Sequence, residues 1–161
     1  MNKKNTPRNL YLERHGIVVV EKEQRNDTLT ARLLDVWNVS VRASHHFLTD
    51  DDIMRLSPYA GQGLRHIRHL IVVEDGQTPV GFMGVEERKI EMLFLHPDSF
   101  RRGLGRRLVQ YAFGELDVEY VDVNEQNPDA RRFYERMGFE VFRRNGLDGE
   151  GNPFPILEMK R

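Results

Sequence analysis

Phe100-Arg101-Arg102-Gly103-Leu104-Gly105 joins an apolar run to an amphipathic one, and its residue types suit an anion. Two glycines let a backbone approach a ligand closely, and a helix starting there offers unpaired N–H groups and the positive end of its dipole. Arg101, Arg102, Arg106 and Arg107 surround that turn with positive charge. Phosphate or pyrophosphate binding fits these residues; so does an ordinary strand-to-helix turn with a solvated arginine face. Two familiar phosphate loops are excluded. No Gly-Lys-Ser/Thr ending follows, and the third glycine of a dinucleotide fingerprint is missing.

A second constellation lies downstream, from Asn124 to Phe139. Asn127 suits a helix N-cap, Pro128 the first helical position, and Asp129 complements the dipole. Gly138 closes that short helix and Phe139 opens the next strand. Side chains on so short a helix, such as Phe133 and Tyr134, are held at fixed places beside the preceding strand.

The elements that position these residues follow from periodicity. Ile90 to Leu95 reads as a buried strand stopped by His96-Pro97-Asp98, and Leu104, Leu108, Tyr111, Ala112 and Leu116 mark a helix. Val118 to Val123 reads as a strand. Upstream, Ile17 to Val20 is a first strand, and Leu29 to Arg42 is a helix capped by Asp27 or Thr28. A second helical region runs between Asp50 and His69, with a break expected at Pro58, Gly61 and Gly63. Leu70 to Val73 and Pro79 to Val85 flank an Asp75-Gly76 turn as a hairpin, and Val141 to Arg144 with Ile156 to Met159 form another. The order is strand, two helices, three strands, helix, strand, helix, two strands.

Composition bounds the function. The 161 residues are 39% hydrophobic and 30% charged, with a net charge of −1, as in a folded globular chain. That balance argues against nucleic-acid binding through overall charge. Zero cysteines exclude a disulfide scaffold, a thiolate metal site and a cysteinyl intermediate. No apolar run reaches the length of a membrane span and the N-terminus lacks a secretory segment, so no membrane partner and a cytoplasmic location are expected. Residues 1–10 read as a flexible tail and 11–161 as a single domain.

Together, strand–Gly-x-Gly–helix and strand–Asn-x-x-Ala-x-x-Phe-Tyr-x-x-x-Gly-Phe resemble the GNAT superfamily of acyl-CoA-dependent N-acetyltransferases, most strongly from Ile90 to Phe139. Trp37 to Leu48 and Asp148 to Leu157 look like one subgroup of small bacterial members. The resemblance implies an α/β fold: a twisted mixed sheet of about six to seven strands with helices on both faces. It implies acetyl-CoA as co-substrate, no metal, an amine acceptor that is a small molecule or a peptide, and it allows a homodimer. Acetyl-CoA would lie where the fourth and fifth strands part. Its pantetheine would pair with the backbone of Leu93 and Leu95 beside Phe94. Its pyrophosphate would sit on Arg101, Arg102, Gly103, Leu104, Gly105 and Arg106. Asn127 would cap its helix and touch the cofactor.

The resemblance also implies roles. Tyr134 matches the family tyrosine near the cofactor sulfur, a general acid for the departing thiolate. Glu91, opening the central strand, and His45, in the region of acceptor-binding residues, both remain open as the base that accepts the amine proton. A backbone N–H near Leu93 or Phe94 would stabilise the oxyanion. The stretch from Asp148 to Pro155 either covers the acceptor or is a plain hairpin loop. One departure stands out: Phe100 occupies the place of the usual Arg or Gln, removing one charge-assisted bond to phosphate. The expected function is direct acetyl transfer to a primary amine in a ternary complex; the alternative is a catalytically silent acyl-CoA-binding sensor.

Overall fold

A computed structural model describes residues 14–161; the tail expected over residues 1–10 lies outside them. Seven strands form one sheet: β1 (His15–Val19), β2 (His69–Asp75), β3 (Thr78–Glu86), β4 (Lys89–Leu95), β5 (Tyr120–Asn124), β6 (Glu140–Asn145) and β7 (Ile156–Lys160), in the order β1-β2-β3-β4-β5-β7-β6. Neighbours are antiparallel except β4 and β5, which run parallel. The described residues include four α-helices: α1 (Asp27–Ser44), α2 (Asp50–His66), α3 (Leu104–Glu115) and α4 (Pro128–Arg136). The expected element order and mixed α/β sheet are those observed.

Strand alternation divides the apolar residues between two cores. Ile71, Val73, Met83 and Val85 face Leu104, Leu108 and Ala112 of α3 and Tyr134 of α4. Leu70, Val72 and Phe82 face the opposite way, onto Leu33, Trp37 and Val41 of α1 and Ile53 and Leu64 of α2.

Helix ends correct two expectations. The cap of α1 is Asn26, whose side chain accepts from Leu29 N–H, rather than Asp27 or Thr28. Helix α2 opens with a capping box between Thr49 and Asp52 and runs unbroken through Pro58. Proline removes one intrahelical donor, a local loss that flanking packing offsets here. Gly61 and Gly63 are packing positions and not breaks. A Cβ on Gly61 would lie 3.5 Å from Leu34 of α1, and one on Gly63 would lie 3.3 Å from the sulfur of Met92 in β4. At the far end Arg25 donates to the carbonyls of Leu64, Arg65 and Ile67, which the last helical turn leaves without partners.

One irregularity shapes the centre of the sheet. The β3–β4 register steps from Gly84↔Met92 to Val85↔Ile90, so Glu91 is an extra residue on β4. The β4–β5 register holds only Lys89↔Tyr120 and Ile90↔Val121, and the strands then part. A bulge bends its strand and raises local twist, which accounts for a fork directly after Ile90.

Candidate active site

On the α3 side of the fork, a 3-10 turn (Pro97–Ser99) leads through Phe100 to a tight entry into α3. Gly103 has φ 94°, in the left-handed region where a side chain is strained, and Arg101 has φ 59°. Gly103 has no side chain to cap α3, so its first N–H groups, from Leu104 to Arg106, have no side-chain cap among the described residues. Gly105 lets the helix start close against its neighbours: a Cβ there would lie 3.3 Å from Phe133 of α4 and 3.7 Å from Leu95 of β4. Arg101, Arg102 and Arg106 are exposed around this turn. Arg107 departs from the expected cluster. Its guanidinium donates to the carbonyl of His15 and ties α3 to β1.

Leu93 and Leu95 turn their side chains into the α3-side core, while Phe94 turns toward α1. The edge of β4 beyond Ile90 that faces β5 has no strand paired to it among the described residues. Asn127 is buried and caps α4, its Oδ1 accepting from Ala130 N–H at 3.2 Å. Its backbone N–H donates to the carbonyl of Asn124 at 3.0 Å, leaving the Nδ2 without a hydrogen-bond acceptor among the described residues.

Tyr134, also buried, packs edge-on against Phe133 and Phe139 with ring centroids 5.0 and 5.7 Å away. Burial pushes its phenol well above the usual range, so it stays protonated at neutral pH. The hydroxyl makes no hydrogen bond to the described residues, and none of their enclosed side-chain oxygens or nitrogens lacks a partner. The phenol is thus a proton donor with no acceptor among the described residues.

The other face of the fork is charged. Glu91 Oε1 lies 3.7 Å from Lys89 Nζ, which lies 2.6 Å from Asp122 Oδ2 on β5. Partial burial raises the Glu91 carboxyl above its usual range, Lys89 opposes that shift, and Asp122 reinforces it. Beside Asp122 in the register stands Glu158, forked by Arg143 and bonded by Asn145. A recess of about 460 Å³ continues from Asp122 and Asn145 beneath the loop carrying Leu147 and Asp148.

His45 closes α1 and sits in an aromatic row. Its ring lies 5.5 Å from Phe47 and 6.2 Å from Phe94; Phe94 continues to Phe82 at 5.7 Å, and Phe47 meets Phe154 of the β6–β7 loop at 5.5 Å. Ser44 Oγ donates to the Ser40 carbonyl and lies 2.7 Å from His45 Nδ1. A hydroxyl has one proton, so Nδ1 is the donor to Oγ and Nε2 keeps the lone pair. Burial, helped by His46, lowers this imidazole to about 4. It is neutral at physiological pH and a weak base.

The fold thus gathers Glu91, Leu93, Phe94 and Leu95 along one strand beside the fork, with the Gly103 turn and Tyr134 on the α3 side. It sets His45 on the opposite, α1 side. Sequence reasoning missed Lys89 and Asp122. The alternation of Asp122 between Val121 and Val123 signalled an outward carboxylate, but nothing local named its partner.

A mixed sheet forked at its parallel pair, beside a helix opened by glycine, defines an acyltransferase of the GNAT type. The acetyltransferase (GNAT) domain family matches residues 66–141. Peptidyl-lysine N-acetyltransferase YjaB of Salmonella typhimurium is 34% identical over 128 residues, covering 80% of this chain and 88% of that protein. The solution structure of apo-form YjaB from Escherichia coli superimposes with TM-score 0.77 at 32% identity, covering 91% of this chain and 96% of that one. An aminoglycoside 6'-N-acetyltransferase solved with coenzyme A shares the fold, with TM-score 0.58 at 16% identity, covering 89% and 96% of the two chains. The chain belongs to the GNAT acetyltransferase family and is an acetyl-CoA-dependent acyltransferase.

Proposed function

We propose that this enzyme moves the acetyl group of acetyl-CoA to the ε-amine of a lysine in a peptide or protein, by direct attack within a ternary complex. The observation that carries the reading is the fork after Ile90. It leaves a strand edge for the donor between an uncapped helix start and a charged, bulged carboxylate. The relative's activity on peptidyl-lysine supports the choice of acceptor.

The donor's pantetheine extends along Leu93 and Leu95 as an added strand. Its phosphates take the N–H groups of Gly103, Leu104 and Gly105, with Arg101, Arg102 and Arg106 around them. The free Nδ2 of Asn127 supplies a further donor group. Phe100 offers no charge, so the backbone carries most of this binding.

Glu91 is the better base. Its raised carboxyl lies closer to the proton affinity needed to deprotonate an ammonium, directly or through water, than an imidazole lowered to about 4. The amine then attacks the acetyl carbonyl. The oxyanion that develops takes an N–H of Leu93 or Phe94, a contribution of about 3–4 kcal/mol in comparable sites. Tyr134 gives its proton to the departing thiolate. His45 holds the aromatic side of the acceptor site as a neutral ring. The reading includes a cytoplasmic location, where acyl-CoA and folded protein acceptors meet.

Incubating the protein with acetyl-CoA and a panel of lysine peptides, with thiol release and peptide mass followed together, tests this. Acetylation on Nε supports the reading. Tight acetyl-CoA binding without thiol release across the panel would replace it with a silent acyl-CoA sensor.

A further inference from the structure

A hydrogen-bonded chain crosses from the start of α2 to the β6–β7 loop. Thr49 Oγ1 accepts from Asp52 N–H, and Asp52 Oδ2 accepts from Thr49 N–H at 3.0 Å. The other oxygen, Asp52 Oδ1, takes Arg55 Nη2 at 3.0 Å. Arg55 Nη1 then reaches across to Asn152 Oδ1. Asn152 Nδ2 donates to Asp148 at 2.9 Å, and Asp148 Oδ1 also accepts from the backbone N–H groups of Asn152 and Glu150. A guanidinium only donates and a carboxylate only accepts, so the Asn152 amide has one orientation that satisfies both.

This chain runs beside an apolar contact. Phe47 lies two residues before Thr49, Phe154 two residues after Asn152, and their rings meet at 5.5 Å. The carbonyl of Pro155 accepts from Glu125 N–H at 2.9 Å, which fixes one end of the loop to the β5–α4 turn. A side chain at glycines 146, 149 and 151 would meet no neighbour within 4 Å among the described residues, so these positions of the loop pack against nothing. Arg55 supplies the tie at the tip.

We propose that Arg55 is a positioning residue for the acceptor: through Asn152 it latches the β6–β7 loop to α2 and so sets Phe154 against Phe47, completing the aromatic wall beside His45. The inference rests on the lysine-transfer reading of this site. It separates acceptor affinity from donor affinity, because no part of the latch touches the Gly103 turn or Tyr134.

The test compares Arg55→Ala, Asn152→Ala, the double variant and Arg55→Lys on a lysine peptide that the parent acetylates. A charge-assisted bond lost from a partly exposed site predicts a rise in peptide KM of about tenfold, with kcat and acetyl-CoA Kd changed less than about twofold. Both single variants break the same latch, so the double variant matches them rather than multiplying their effects. Arg55→Lys recovers part of the KM, since an ammonium reaches Asn152 or Asp52 but lacks the fork. Hydrogen exchange at the Glu150 and Asn152 amides speeds up about tenfold in Arg55→Ala. If Arg55→Ala disturbs α2, Asn152→Ala breaks the latch from the loop side. Unchanged KM and unchanged exchange, multiplying effects, or a fall in kcat with KM intact overturns the proposal. Should the parent acetylate no lysine peptide, the transfer reading fails separately, and unchanged exchange at Glu150 and Asn152 still overturns the latch.

Discussion

Lys89 Nζ lies 2.6 Å from Asp122 Oδ2, bridging β4 and β5 at the last paired rungs before the strands part. The same ammonium lies 3.7 Å from Glu91 and holds down a carboxyl that burial and Asp122 push up. Replacing Lys89 by Met leaves Glu91 with the negative charges of Asp122 and Glu86 unopposed by Lys89. The acidic limb of kcat/KM is expected to move to higher pH, and a pH–rate profile that does not move removes Glu91 as the base.

Glu91→Gln is expected to lower kcat/KM by about 10²-fold without lowering Tm at pH 8. The sign follows from linkage. A carboxyl whose folded pKa is raised binds protons more readily folded than unfolded, so the ionised form weighs against the fold at high pH. Glutamine relieves that, and the difference fades as the pH falls through the raised folded value and is gone below about 4.3, where the carboxyl is protonated folded and unfolded alike. Paired melting curves at the two pH values check it.

Tyr134→Phe is expected to reduce kcat about 10²-fold while leaving acetyl-CoA Kd intact. The hydroxyl bonds to nothing among the described residues and the ring packing is kept, so Tm should shift by less than about 2 °C. A large loss of stability with normal turnover would make the residue structural only.

His45 should not titrate in the working range. With its imidazole lowered to about 4, its NMR shifts stay flat between about pH 5.5 and 9. The unfolded chain takes up this proton first, so His45 withdraws stability as pH falls from about 6.5 to 4. His45→Phe should keep the acidic limb of the rate profile in place and improve resistance to acid unfolding. Loss of that limb in His45→Phe would hand the base role back to the histidine.

At the helix entry, Gly103→Ala forces a side chain into φ 94° and is expected to lower stability by about 1 kcal/mol or more and weaken acetyl-CoA binding. Gly105→Ala acts differently. Its methyl would meet the Phe133 ring at 3.3 Å, so the ring must yield by tenths of an ångström next to Tyr134. The expected outcome is a kcat effect exceeding the change in Kd, read by calorimetry and steady-state kinetics side by side.

Local signals were legible in the residues themselves. Asn127-Pro128 and Gly138 marked the ends of α4, and the apolar run 70–73 before Asp75-Gly76 marked one arm of a hairpin; each stands in the structure. What local reading missed was what depends on partners far along the chain. Pro58 and the glycines after it read as breakers until Leu34 and Met92 are seen against them. Arg107 read as part of an anion cradle until His15 is seen accepting from it. Arg55 and Asn152 lie 97 residues apart, and no periodicity connects them. The bulge at Glu91 is a property of two strands and has no signature in either one alone.

The sheet keeps two apolar cores apart, one under α3 and α4 and one under α1 and α2. A methyl group lost beneath α1 is repacked among the neighbours of α1, with the strands standing between it and the Gly103 turn. The two halves can therefore accumulate substitutions on separate accounts. With donor and acceptor bound as proposed, an enzyme built this way can exchange one acceptor for another over its lineage while its hold on the acyl donor stays as it was.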